Sequence, residues 1–302
     1  MAKKTTTEAR ADIYQTVTDR IIAAIEAGAG EWKMPWHSNQ GGAMVPTNAV
    51  SGKAYRGINV LILWAAGAGS TVWATYKQWI ELGAQVRGGS KGTQIVFFKQ
   101  LQDRDDQAAD QVQDEEERRR FVARGFTVFS ADQVDGYEPK IQTPTPATAL
   151  ERIEAAEAFV SAAGADIRHG GGKAFYVPSA DYIQMPPLSC FEDIEGYYGT
   201  LLHELTHWSG AKSRCDRDLS GRFRSESYAA EELVAELGAA YLCASLGVTA
   251  EPRKDHAAYI ESWLKVLKND KRAIFTAASL AQKAADWLHA KQPRAEYEGL
   301  EE

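Results

Sequence analysis

Histidine and cysteine are scarce in this 302-residue chain, with six of the first and three of the second. Cys190, Cys215 and Cys243 form no C-x-x-C pair, which argues against a cysteine-ligated metal module and reads as three ordinary reduced thiols. No apolar run approaches the length of a bilayer span. The longest, Val60 to Gly69, is far too short, so no membrane partner is expected. The opening Met1-Ala2-Lys3-Lys4-Thr5 runs into a polar amphipathic stretch rather than an apolar leader, and the expected location is the cytoplasm. Positive charge is not in excess either. A formal charge of −7 excludes a uniformly basic nucleic-acid binder while leaving room for a local basic surface. There is no internal repeat. A content of 44% hydrophobic and 25% charged residues is that of ordinary globular protein, and the length allows two domains, each with its own core.

Against this background His203-Glu204-Leu205-Thr206-His207 stands out. On a helix, positions i and i+4 share a face, so the two imidazoles can grip one cation together. The glutamate beside the first histidine then lies next to the cation's open position, where water can be deprotonated. This is the H-E-x-x-H pattern of zinc peptidases. Its surroundings are helical, since Ile194, Tyr197, Tyr198, Leu201, Leu202, Leu205 and Trp208 recur at the right spacing and Gly210 follows as a stop. The expected helix covers about 192 to 208.

Two histidines are too few for a catalytic zinc site, which takes three protein ligands. A second helix is expected at about 226 to 246, with Ala230, Leu233, Val234, Leu237, Ala240 and Tyr241 as its apolar stripe. Glu231, Glu232 and Glu236 stand on another side. Glu232 and Glu236 share a face, so one carboxylate can bind metal while the other holds a ligating histidine from behind. The residues themselves leave the choice among the three acids open. The arrangement resembles the second helix of the glutamate-zincins, in which the first acid is the ligand. That resemblance implies Glu232 as ligand and Glu236 as the orienting group. His169, His256 and His289 are isolated and make weaker alternatives. The expected cofactor is one divalent ion, Zn²⁺ first, with Mn²⁺ or Co²⁺ also compatible with a His-His-Glu set.

The rest of the chain falls into an α+β order. Residues 8 to 28 read as an amphipathic helix, followed by helices at about 57 to 66 and 75 to 82 and strands near 94 to 98 and 121 to 129. An acidic block, Asp103 to Glu117, carries eight acids against Arg104 and reads as a solvated loop. Pro139, Pro144 and Pro146 mark a linker over 139–148, dividing a first domain (1–138) from a second (149–302). The second opens with a capping box from Thr148 to Glu151 and continues through short strands at Ile167–Arg168, Ala174–Val177 and Tyr182–Met185. Two helices, about 255 to 268 and 271 to 290, follow the metal helices.

The first domain has its own signal. Residues 51 to 100 hold Lys53, Arg56, Lys77, Arg87, Lys91 and Lys99 against a single acid, Glu81. Trp32, Trp36, Tyr55, Trp64, Trp73, Tyr76 and Trp79 are interleaved with them. Aromatic faces in a positive groove are the chemistry of sequence-tolerant single-strand binding, although aromatics equally build any core.

The stretches Pro46-Thr47-Asn48-Ala49-Val50-Ser51-Gly52-Lys53-Ala54-Tyr55-Arg56-Gly57-Ile58-Asn59 and Gly83-Ala84-Gln85-Val86-Arg87-Gly88-Gly89-Ser90-Lys91-Gly92 resemble the N-terminal domain of ArdC-type antirestriction proteins. The His-Glu-Leu-Thr-His helix and the glutamate helix resemble the second half of the same family, over roughly residues 8 to 290. The resemblance implies an N-terminal domain that binds single-stranded DNA, with duplex DNA left open, and a zincin-like, gluzincin-type metallopeptidase domain after it. On matching positions it implies Lys53, Tyr55, Arg56, Arg87 and Lys91 as nucleic-acid contacts. It implies His203, His207 and Glu232 as ligands and Glu204 as general base, with Tyr228 or His256 assisting as electrophile. Protection of incoming plasmid DNA from a host restriction system is the role it implies, acting on an unidentified protein substrate. The alternative is a DNA-binding antirestriction protein whose metal site is structural.

Overall fold

A computed structural model describes residues 12–28, 45–100, 121–138, 149–221, 225–248 and 257–293. The expected acidic loop (103–117) and linker (139–148), together with Trp32, Trp36 and His256, lie outside these residues.

The amphipathic spacing near the start forms α1 (Ile13–Gly28), which buries Val17, Ile21 and Ile25. After a two-residue strand, β1 (Thr47–Asn48), comes α2 (Ile58–Trp64), apolar except for Asn59 and buried from Val60 to Leu63. Such a helix belongs inside a core rather than on its surface. Strand β2 (Val72–Thr75) leads straight into α3 (Tyr76–Glu81), because Thr75 and Gln78 form a reciprocal capping box at the junction. Then come β3 (Gln85–Val86), the long hairpin strands β4 (Thr93–Gln100) and β5 (Phe121–Ser130), and β6 (Val134–Asp135). The main sheet has the order β1-β2-β5-β4, with β3 and β6 paired separately. This leaves β4 at an edge. Asn59 of α2 closes it, donating from Nδ2 to the Val96 carbonyl at 2.8 Å while Oδ1 accepts from the Val96 N–H at 2.8 Å. One amide side chain thus stands where another strand would pair.

In the second half, α4 (Ala149–Ala163) precedes a three-stranded sheet of β7 (Asp166–His169), β8 (Phe175–Val177) and β9 (Tyr182–Met185). Its order is β7-β9-β8, so β8 is an edge strand. Helix α5 (Ile194–Ser209) starts where Asp193 accepts from the Gly196 N–H at 2.6 Å. Helix α6 (Glu226–Leu246) starts where Ser225 accepts from the Tyr228 N–H. Gly247, at φ 70, ends α6 in the left-handed conformation that glycine adopts without penalty. Helices α7 (Ala257–Asn269) and α8 (Ala273–His289) complete the described fold. No helix among the described residues is long and apolar enough to cross a membrane.

A single apolar cluster contains Ile21, Leu61 and Ile95 of the first half and Leu202, Leu237 and Ala278 of the second, while a smaller one, Ala74, Trp79, Ala84, Val86 and Val134, lies wholly within the first half. Polar contacts cross at the same place. Thr18 donates to the Lys271 carbonyl at 2.7 Å, Tyr241 of α6 to the Gly57 carbonyl at 3.0 Å, and the Gly57 N–H to Gln282 of α8 at 2.9 Å. Helices α1 and α2 supply Val17, Ile21, Ile25 and Leu61 to that shared cluster.

Candidate metal centre

Helices α5 and α6 supply the centre. His203, Glu204 and Thr206 are fully buried on α5 and His207 is half-buried; Glu232 and Glu236 are buried on α6. The helices can meet this closely because α6 carries glycine at 238. A β-carbon there would stand 2.4 Å from Cγ2 of Thr206.

The Nε2 atoms of His203 and His207 lie 3.1 Å apart. Glu232 reaches across to both, Oε2 standing 3.5 Å from His203 Nε2 and Oε1 3.6 Å from His207 Nε2. Ligands bound tetrahedrally at ~2.0–2.1 Å from one ion are about 3.3 Å from each other. The Nε2–Nε2 separation and the two approaches of Glu232, one from each carboxylate oxygen, lie near that figure. Glu204, Glu232 and Glu236 bring three buried carboxylates to two imidazoles, a charge balance that suits a divalent ion. The donor set therefore fits a divalent ion.

Behind the ligands the acids divide the work. Glu236 Oε2 sits 3.6 Å from Nδ1 of His203, a ring nitrogen with no hydrogen-bond partner within the described structure. Glu231 takes the corresponding place behind His207, with Oε1 3.2 Å from its Nδ1. Burial alone would lower the pKa of His207, but hydrogen bonds to Glu231 and Glu232 outweigh it and push it up to about 10. Burial would raise the Glu232 carboxyl; hydrogen bonds from His203 and His207 hold it well below the usual carboxylate range.

The cleft in front of this group has a volume of about 300 Å³ and is lined by Glu204, Phe175 and Tyr176 of β8, Tyr228 and Tyr259, among others. Tyr228 and Tyr259 touch through their hydroxyls at 3.3 Å. Burial, then Tyr259 and Glu232, raise the Tyr228 phenol far above its ordinary value, so it remains a proton donor. The alternative ligands are elsewhere. His169 is hydrogen-bonded to Tyr197 at 2.8 Å and His289 to Ser245 at 3.0 Å. Cys190, Cys215 and Cys243 are free thiols.

The nucleic-acid candidates do not converge in the same way. Lys53 and Lys91 are exposed. Tyr55 is half-buried, its hydroxyl accepting from Asn48 at 3.2 Å. Arg56 is paired with Asp286 of α8, and Arg87 donates to the Val134 carbonyl at 3.1 Å and to Asp135 at 3.0 Å. Both arginines thus have internal partners. Arg87 nevertheless lines an open cleft of about 530 Å³ with Tyr76, Ser90 and Phe129. Of the interleaved aromatics, Trp73 and Trp79 are buried core, the second of the two readings their presence allows. The exposed rings among the described residues of the first half are Tyr76, Phe97, Phe98 and Phe126, at 50%, 59%, 39% and 44%. Sequence reasoning missed Phe97 and Phe126 because a strand's alternation does not say which face is left bare.

The H-E-x-x-H helix, the glutamate helix crossing it and the small sheet beside them are the parts of a zincin-like metallopeptidase domain. A family model described as zincin-like metallopeptidase matches residues 154–280, and one described as the N-terminal domain of anti-restriction factor ArdC matches 11–129. The chain belongs to the ArdC family of antirestriction proteins. It is similar to the antirestriction ArdC protein of plasmid R388, at 45% identity, over 93% of this chain and 98% of that one, with a TM-score of 0.75 to the metal-free crystal structure. The TM-score to its Mn(II)-bound crystal structure is 0.73. An uncharacterized protein, y4eC of Sinorhizobium fredii, is 52% identical over 98% of this chain and 97% of its own length. DNA primase TraC of Escherichia coli is 41% identical over 93% of this chain, which spans only 27% of that protein.

Proposed function

We propose that this chain is an antirestriction protein that binds single-stranded DNA through its first half and cleaves a protein substrate at the His203–His207–Glu232 centre, so protecting incoming plasmid DNA from host restriction. The observation that carries the enzymatic part is Glu204, a buried carboxylate between the two histidines that lines an open cleft. A structural metal site has no need of such a group.

A divalent ion held by His203, His207 and Glu232 would lower the pKa of water and polarise a carbonyl. Glu204 then takes the proton from that water and returns it to the leaving amine. Tyr228, kept protonated, donates a hydrogen bond towards the oxygen that gains charge. The free edge of β8, with Phe175 and Tyr176 in the cleft wall, suits an extended peptide added as a further strand. The polynucleotide reading is supported by exposed Lys53 and Lys91, by the Arg87–Tyr76 cleft and by the exposed rings of Phe97 and Phe126.

The test is Glu204→Gln. The variant should bind metal as the parent does and lose proteolysis by about a hundredfold or more. Undiminished cleavage would remove Glu204 from its role. If the variant still protects DNA in cells, the second reading holds instead: antirestriction by DNA binding alone, with the centre structural.

A further inference from the structure

Arg217 lies in the irregular segment between α5 and α6 and is 9% exposed. Its guanidinium is occupied on three sides. Nη2 donates to the Thr206 carbonyl at 2.6 Å and Nη1 to Ser209 Oγ at 3.0 Å, both in the last turn of α5. The remaining edge grips Glu231, with Nε 3.1 Å from Oε2 and Nη2 2.9 Å from Oε1. That same Oε1 faces Nδ1 of His207. Room for the group exists because position 210 is glycine: a β-carbon there would lie 2.8 Å from Nη2.

We infer that Arg217 is a positioning residue for the metal centre. Acting through Glu231, it sets which nitrogen of His207 faces the cation. A carboxylate clamped from behind by a fork of N–H groups can only accept, so His207 must present its Nδ1–H to Glu231. Nε2 is left with its lone pair aimed into the cleft, beside Nε2 of His203 and the Glu232 carboxylate. The clamp also separates two neighbouring acids. Glu231 is held as the orienting group, and Glu232 alone is free to bind. Arg217 adds a covalently distant anchor, since it ties the orienting carboxylate to the backbone of the helix that carries both histidines.

This inference rests on the metal-centre reading, and its sign can be checked against a rival. If Arg217 acted only through its charge, removing a cation from the neighbourhood of a dication would tighten metal binding. If it acts by positioning, removal weakens binding, as loss of an orienting partner of a ligating histidine does, by about 10–100-fold.

The experiment is titration of the full chain with Mn²⁺ and with Zn²⁺, reading affinity by calorimetry and the Mn²⁺ coordination by electron paramagnetic resonance. Arg217→Met and Glu231→Ala should each weaken binding about tenfold or more and broaden the Mn²⁺ signal. The double variant should lose little beyond the worse of the two, because the pair acts as one device. Arg217→Lys, which keeps the charge and loses the fork, should recover only part of the affinity. Unchanged or tighter binding in Arg217→Met overturns the inference. Should Arg217→Met fail to fold, Glu231→Ala decides, because it leaves the bonds to Thr206 and Ser209 in place; parental affinity there overturns the inference equally. Absence of metal uptake by the unsubstituted chain would be a different result, overturning the metal-centre reading itself.

Discussion

Gly238 of α6 and Thr206 of α5 meet at the crossing that brings the ligands together, with no space for a β-carbon on the glycine. Thr206 is itself fixed, donating from Oγ1 to the Leu202 carbonyl at 2.8 Å. Gly238→Ala should push the helices apart. Overpacking of this kind costs about 1–3 kcal/mol. The expected result is a lower unfolding midpoint together with weaker metal uptake, since Glu232 and Glu236 ride on the displaced helix. A variant with parental stability and affinity would show that the crossing is not what sets the ligand spacing.

Metal should stabilise the chain by mass action. Free ion at a hundred times its dissociation constant adds about 2.7 kcal/mol to folding, if the unfolded chain does not bind it. Thermal unfolding with added Zn²⁺ or Mn²⁺ against unfolding in chelator reads this directly. His203→Ala should abolish the difference; a shift that survives the substitution would place the ion elsewhere.

The cations of the first half separate into two kinds. All four are exposed, Lys53, Lys91, Arg56 and Arg87, but Arg56 and Arg87 also hold carboxylate or carbonyl partners. Replacing both lysines with alanine should reduce the salt slope of single-strand binding by roughly 0.7 for each phosphate that is no longer neutralised. Arg56→Ala should leave that slope nearly unchanged and loosen the packing against α8 instead. Salt-dependent binding isotherms on short oligonucleotides distinguish the two, and an unaltered slope in the lysine variant would move the interface away from them.

A pH test is available away from the metal. The Arg214 guanidinium donates to Asp181 and, more than the Tyr176 hydroxyl, holds its carboxyl below the ordinary value. A folded-state pKa depressed in this way contributes stability that is present above the unfolded pKa of about 3.9 and is lost as pH falls through the folded value. Asp181→Asn should therefore be less stable than the parent near neutrality, and the gap should close in acid. A gap that persists at pH 2 would show that packing, not charge, is responsible. Asparagine suits the test because position 181 has a φ of 52, which it tolerates well.

Much of the centre could be read before any coordinates. The i, i+4 histidines and the stop at Gly210 follow from local rules, and the helices lie where their spacing puts them. The acids were harder. Neighbouring residues on a helix differ by about 100° in direction, so Glu231 and Glu232 cannot both face one ion, but only the partner helix decides which does. Arg217 carried no signal at all, being a lone cation in an irregular segment. Asn59 was likewise invisible, since its task is set by an edge strand 37 residues further on. Tryptophan content allowed either a stacking surface or a core, and Trp73 and Trp79 turned inward, as large rings do when a small sheet needs filling.

The apolar cluster that runs from α1 and α2 into α6 and α8 has a practical corollary. Though a similar stretch makes up a minor portion of the longer TraC primases, the two halves here share an apolar cluster. Severing them near the proline-rich stretch would leave Leu61 on one fragment and Ala278 on the other facing water. Calorimetry of the intact chain should accordingly record one melting event, and either fragment expressed by itself should be prone to aggregate.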